Sequence, residues 1–120
     1  MDKQDIEKIE KIISDREEGR EKFNEYNSKV HKMFLDMAKE AFSDGALKKK
    51  YKELIALGIS LVIRCEPCTQ SHTKKALDAG ASREEIIEVI EIGIEMGGGP
   101  AQVLGRFAIK VLDYYLKKAD

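Results

Sequence analysis

The chain has 120 residues and a mass of 13.6 kDa, enough to bury one hydrophobic core but not two. Its 21 basic and 22 acidic residues are interleaved and leave a formal charge of -1. This pattern argues against a role in binding nucleic acid or an anionic membrane surface. We therefore expect a single domain over residues 1–120, with no nucleic-acid partner.

The chain also lacks the apolar segments that direct a protein to a membrane. Its N-terminal segment has no continuous apolar core of the kind found in signal peptides. The longest apolar stretch, Leu54 to Ile63, is too short to span a bilayer. These features predict a soluble protein of the cytoplasm with no membrane partner.

Apolar residues recur at helical spacing in the first third of the chain. The isoleucine spacing predicts an amphipathic helix over about residues 3–18, ended by Gly19. A second apolar stripe over residues 23–42 predicts one long helix, with a break near Asn27-Ser28 as the alternative.

Four further helices are predicted over about residues 46–63, 65–79, 83–96 and 101–118. The first of these is almost wholly apolar in its second half, so we expect it to be buried all round. The third also carries more apolar residues than one core face needs. The sequence therefore predicts a compact all-α domain of about six helices that assembles into a homo-oligomer.

The two cysteines, Cys65 and Cys68, lie where a helix is expected to begin. Pro67 agrees with this boundary, because proline is tolerated in a first helical turn. The free N–H groups and positive dipole end of a first turn favour a thiolate over a thiol. His72 follows Cys68 by four residues, so both cysteines and the imidazole project from one face of the helix.

Glu53 lies upstream, on the preceding predicted helix. We interpret Glu53, Cys65, Cys68 and His72 as a thiol redox centre, because a cysteine pair in a reducing cytoplasm is more often catalytic than structural. One thiolate would attack an electrophilic oxygen or sulfur, and the other cysteine would resolve the product into a Cys65–Cys68 disulfide. His72 and Glu53 would move the proton. This reasoning leaves open which cysteine attacks first.

Other interpretations of the same residues remain. The four side chains are also a plausible zinc or iron ligand set, although structural zinc usually draws its ligands from two separated knuckles. The cysteines could be small buried hydrophobes, and Glu53 could be only the polar end of a helix. We expect His31 to be solvated or partly packed outside the site, and the lysines at 48–50 to form a solvated helix start.

The segments Lys52-Glu53-Leu54 and Cys65-x-x-Cys68-x-x-x-His72 resemble the signature of the alkylhydroperoxidase D-like (AhpD-like) proteins of the carboxymuconolactone decarboxylase superfamily. The resemblance covers roughly residues 45–110 and leaves the N-terminal helix outside. It implies an all-helical fold that assembles into trimers or hexamers.

The resemblance also implies an activity. Family members of this subtype reduce hydroperoxides, with Cys68 attacking, Cys65 resolving, and Glu53 and His72 relaying the proton. The implied electron donor is a thiol or dithiol, in a thioredoxin-like or lipoyl-bearing protein, and no bound organic cofactor is expected. The superfamily's muconolactone decarboxylases do not rely on a cysteine pair, so both cysteines argue against that alternative. A redox-sensing or metal-binding module without turnover is the other alternative, since Glu66 adds a negative charge that disfavours the thiolate.

Overall fold

The computed structural model describes residues 1–119 and folds them into six α-helices, which confirms the all-α class. No helix of this described range combines the length and the apolar character needed to cross a membrane. The helices are α1 (Lys3–Glu25), α2 (Lys29–Ala41), α3 (Lys49–Val62), α4 (Glu66–Asp78), α5 (Arg83–Gly97) and α6 (Gly99–Ala119).

The N-terminal helices do not divide where the sequence first indicated. α1 continues through Gly19 to Glu25, so the predicted end at Gly19 is wrong. A single glycine inside a helix costs only about 1 kcal/mol relative to alanine, which the rest of a long helix can offset. The chain instead turns at Asn27, whose φ is 52°, and Ser28 caps α2 by accepting a hydrogen bond from the backbone N–H of His31. The alternative of a break at Asn27-Ser28 is thus confirmed.

The main core lies among α3, α4, α5 and α6. α3 and α5 approach closely because Gly93 has no side chain, and a Cβ atom there would lie 2.7 Å from Leu61 Cδ1. α1 packs separately, through Ile9 against Val111 and Tyr114 of α6. The buried apolar side chains of the main core include Leu54, Leu57, Leu61, Ala76, Ile86, Ile90, Leu104, Ala108 and Leu112.

α3 is not buried all round in the single chain, contrary to the expectation from its composition. Ile59 on α3 and Ile92 on α5 are 53% and 64% exposed, and they belong to one apolar surface that runs along both helices. α2 buries none of its residues, although Val30 and Met33 are apolar. Only one face of α3 packs against the other helices of the core, so the other face of α3 is exposed to solvent.

α3 ends in a turn that requires a left-handed residue at Arg64, whose φ is 58°. The Arg64 N–H donates to the carbonyl of Leu61 at 3.3 Å, and the Cys65 N–H donates to the carbonyl of Ser60 at 3.0 Å. These two hydrogen bonds form a Schellman motif, in which glycine usually occupies the left-handed position. The turn matters for the site because it delivers Cys65 to the start of α4.

Substitution of Arg64 tests the strain at this turn. A side chain disfavours the left-handed conformation, whereas glycine adopts it freely but loses more entropy on folding. We expect the free energy of unfolding of Arg64→Gly to exceed that of Arg64→Ala by about 0.5–1 kcal/mol in urea denaturation. Because both variants lack the exposed arginine side chain, their difference reports the backbone alone. Equal stabilities would contradict a strained turn.

Candidate active site

Cys65 and Cys68 are joined by a disulfide bond at the start of α4. Cys65 is the N-cap residue of the helix, and its Sγ accepts a hydrogen bond from the backbone N–H of Cys68 at 3.2 Å. Pro67 lies in the first turn, where its missing N–H leaves no partner unsatisfied. The predicted loop-to-helix boundary at the cysteines is therefore confirmed.

The two cysteines face different parts of the surface. Cys68 lines a cavity of about 600 Å³ formed by α1, α2, α3 and α4. Cys65 lines a separate depression with Lys8, Arg64 and Glu66. A small molecule that enters the larger cavity would therefore meet Cys68, with Cys65 bonded behind it.

Glu53 projects from α3 into the same cavity and is fully buried. Its Oε1 lies 2.7 Å from Nδ1 of His72, and its Oε2 accepts a hydrogen bond from Nζ of Lys49 at 3.0 Å. Burial of a carboxylate is costly unless its oxygens are paired, and here both have partners. His72 also stacks on Phe42, with 5.3 Å between ring centroids, which restrains the imidazole.

The pairing of Glu53 determines which nitrogen of His72 can serve the cavity. A carboxylate can only accept hydrogen bonds, and Oε2 of Glu53 accepts one from Lys49, so Nδ1 of His72 is the donor to Oε1. In the neutral imidazole Nε2 is then the acceptor. His72 and Cys68 lie one helical turn apart and line the same cavity. Nε2 of His72 can therefore accept a proton from a group in the cavity and donate it back to one.

Two residues make contacts at the site that were not predicted. Lys49 lies at the exposed start of α3, as predicted, but it also binds Glu53, and the four-residue spacing between them is the signal that could have revealed this contact. His31, expected outside the site, lines the Cys68 cavity and stacks on Phe23 with 4.0 Å between ring centroids. The break between α1 and α2 turns α2 along the cavity wall and brings His31 there.

Arg16 ties α1 to the cysteine helix and was not identified from the sequence. Its Nη1 donates to Oε1 of Gln70 at 2.6 Å, and its Nη2 donates to the carbonyl of Pro67 at 2.8 Å. Nε2 of Gln70 in turn donates to the hydroxyl of Tyr115 at 2.6 Å. Burial lowers the pKa of Arg16 and raises the pKa of Tyr115 from their ordinary values. These contacts join distant segments, so no local spacing indicates them.

Glu53, Cys65, Cys68 and His72, the alternative zinc or iron ligands, do not surround a common point in the described part of the chain. Both sulfur atoms are in the disulfide bond. Among residues 1–119, no three His, Cys, Asp or Glu side chains are grouped closely enough to hold a metal ion.

The fold and the site define a small all-α protein with a Cys-x-x-Cys disulfide at a helix N-terminus, beside a histidine that is paired with a buried carboxylate. The chain belongs to the carboxymuconolactone decarboxylase family, whose model matches residues 28–110. The match confirms the resemblance drawn from the sequence. It also reaches further upstream than residue 45 and includes α2, whereas α1 stays outside.

Two proteins of known sequence are similar to about two thirds of this chain. "Uncharacterized protein 4 in cox locus" from Paracoccus denitrificans is 41% identical over 80 residues, which cover 67% of this chain and 72% of that protein. An uncharacterized protein from Cupriavidus necator is 42% identical over 82 residues, which cover 68% of this chain and 70% of that protein.

Solved structures show the same fold over nearly the whole chain. A carboxymuconolactone decarboxylase family protein from Legionella pneumophila, in its apo form, superposes with a TM-score of 0.85 at 30% identity, covering 90% of this chain and 96% of that one. A family protein from Thermotoga maritima, described as having a possible involvement in the antioxidative response, superposes with a TM-score of 0.82 at 31% identity. That alignment covers 89% of this chain and 91% of the Thermotoga chain.

Replacing Glu53 with alanine tests the buried pair. The substitution leaves Nδ1–H of His72 without its acceptor inside the protein. We expect Glu53→Ala to lower the free energy of unfolding by about 2 kcal/mol in urea denaturation, since an orphaned buried donor costs about 1–3 kcal/mol. Glu91→Ala, at an exposed position on α5, is the control and should change stability by less than about 0.5 kcal/mol. A loss no larger than the control's would mean that the pair contributes nothing to folding.

Proposed function

We propose that the protein is a thiol-dependent hydroperoxide reductase that cycles between the dithiol and disulfide forms of Cys65 and Cys68. The observation that carries this proposal is that Cys68, rather than Cys65, shares a cavity with the His72–Glu53 pair. Family membership supports it, as does the similarity to the Thermotoga maritima protein described with a possible antioxidative role. We expect the reaction in the cytoplasm, where dithiol proteins keep thiols reduced.

The first chemical step takes place at Cys68. In the reduced protein Nε2 of His72 accepts the thiol proton, and the first turn of α4 stabilises the thiolate. The sulfur attacks the terminal oxygen of the hydroperoxide, and the O–O bond breaks. Cys68 becomes a sulfenic acid, and the departing alkoxide takes the proton from His72 to leave as an alcohol. Glu53 keeps the imidazole oriented and stabilises its positive charge while it holds the proton.

The second step forms the disulfide. The thiol of Cys65 attacks Sγ of Cys68, the S–O bond breaks, and the hydroxide leaves with the Cys65 proton as water. One turnover therefore converts a hydroperoxide and two thiols into an alcohol, water and one disulfide. A thioredoxin-like or lipoyl-bearing dithiol then reduces the disulfide by exchange and is itself oxidised. Cys65 lines its own depression, which gives a donor protein a second approach to the disulfide.

We further propose that the chain acts as a homo-oligomer, a trimer or hexamer by family resemblance. Its accessible surface is 8087 Å², against about 6,600 Å² for a folded monomer of this mass. The chain thus exposes about 1,500 Å² more than a monomer of its mass. A protein buries about 800 Å² of its own surface in one interface of standard size, so this excess is nearly enough for two interfaces. The apolar surface of α3 and α5, which includes Ile59 and Ile92, is the part that a neighbour would cover.

Peroxide treatment of the cysteine variants tests the catalytic roles. We expect reduced, chelator-treated wild-type protein to lose both thiols rapidly after a stoichiometric peroxide pulse, with a mass decrease of two hydrogens. Cys65→Ser should stop at a sulfenic acid on Cys68 that dimedone traps, whereas Cys68→Ser should react no faster than a small free thiol. Intact mass and peptide mapping report each product. Trapping on Cys65 in the Cys68→Ser variant would reverse the roles, and slow oxidation of the wild type would reject the peroxidase activity.

Charge placed on the apolar surface tests the assembly. We expect Ile59→Glu to shift the mass in solution from a multiple of 13.6 kDa to that of one chain, because a carboxylate buried at an interface without a partner is costly. Light scattering coupled to size-exclusion chromatography measures this mass. Lys3→Glu, at an exposed position of α1, is the charge-changing control. A wild-type protein with the mass of one chain would contradict the proposed assembly.

A further inference from the structure

The Cys68 cavity carries an excess of positive charge. Lys49 is paired with Glu53, and the other carboxylate at the cavity, Asp15, is paired with Lys11 at 2.9 Å. The other four cations have no acidic partner among residues 1–119 within salt-bridge distance. The cationic side chains that line the cavity are Arg16, Arg20, Lys39, Lys49 and Lys75.

The charge is most concentrated where α1 forms the wall. Arg16 and Arg20 lie one helical turn apart, and both line the cavity. Arg16 donates one hydrogen bond from Nη1 to Gln70 and one from Nη2 to the carbonyl of Pro67, and both acceptors are neutral. Its charge is therefore not neutralised, and the guanidinium has further N–H donors. Burial and then the charge of Arg20 lower the pKa of Arg16. Two neighbouring guanidinium groups with no carboxylate of residues 1–119 within salt-bridge distance favour the binding of an anion, which guanidinium groups bind with paired hydrogen bonds.

Apolar side chains also line the cavity. Phe34 and Leu35 of α2 line it and are 58% and 38% exposed, and Phe23 and Phe42 lie beside them. Such surface favours the apolar part of a ligand, because covering it removes it from water. A cavity of about 600 Å³ is within the usual size range of small-molecule sites.

We propose that the physiological substrate is the hydroperoxide of an organic acid, a molecule in which a carboxylate is joined to an apolar chain or ring. This inference rests on the proposed peroxidase function and specifies its substrate. The carboxylate lies against Arg16 and Arg20, the apolar body covers Phe34 and Leu35, and the hydroperoxide group reaches Cys68. The carboxylate takes no part in the reaction, so the products remain the corresponding alcohol and water.

A matched pair of substrates tests the inference. Cumene hydroperoxide with a para-carboxylate and its methyl ester share one apolar body and differ in charge. With dithiothreitol as the reductant, we expect kcat/KM for the acid to exceed that for the ester by about tenfold at low salt, the ratio that a charge-assisted hydrogen bond supplies. The ratio should fall as ionic strength rises, because salt screens the partly exposed cations.

The variant Arg20→Gln tests whether the preference for the acid over the ester arises from the α1 wall of the cavity. Arg20 makes no side-chain hydrogen bond within residues 1–119, so its removal spares the contacts that Arg16 makes with α4. We expect the acid-to-ester ratio to fall severalfold in Arg20→Gln and to stay at the wild-type value in Lys3→Gln, which removes an equal charge at a distant exposed position.

The outcomes distinguish a failure of the substrate inference from a failure of the proposed peroxidase function. Equal kcat/KM values for acid and ester, or an unchanged ratio in Arg20→Gln, would overturn the substrate inference and leave the peroxidase function intact. Failure to reduce either hydroperoxide faster than dithiothreitol alone would reject the peroxidase function itself.

Discussion

The hydrogen bond between Glu53 and His72 is the constraint on which the site depends. It joins α3 to α4, with 2.7 Å between the two atoms. Because Glu53 is buried, its other carboxylate oxygen also needs a partner, which is Lys49. A second link between the same helices, from Ser60 Oγ to Thr69 Oγ1 at 2.9 Å, lies nearer the cysteines. Together these bonds fix the register of α4, so the imidazole and Cys68 reach the cavity from one helix face.

The chemistry and the walls of the cavity have different origins in the chain. The cysteines, Glu53 and His72 all lie within the family match, which begins at residue 28. Arg16 and Arg20 lie upstream of it, on a helix that packs on α6 through Ile9. α1 therefore adds charge and a wall to the cavity that Cys68 and His72 line.

Local signals predicted much of the fold because they act within one or two helical turns. The apolar periodicity located the helices, and Pro67 with the paired cysteines located the start of α4. The errors fell where a tertiary effect opposed a local one. Gly19 does not end α1, since the helix is long enough to offset one glycine. α3 is exposed on one side, because composition measures how apolar a helix is but not how many neighbours reach it.

The sequence by itself determined the helical class, the positions of most helices, and the group of Glu53, Cys65, Cys68 and His72 as one centre. These follow from residue type and spacing, which are properties of neighbouring residues. Only the tertiary structure decided which cysteine faces the cavity and which cations remain unpaired around it. Those features depend on contacts between segments as distant as Arg16 and Gln70, and no spacing rule reaches across 54 residues. Which charges are paired depends on how the helices pack against one another, so it can be determined only from the folded structure.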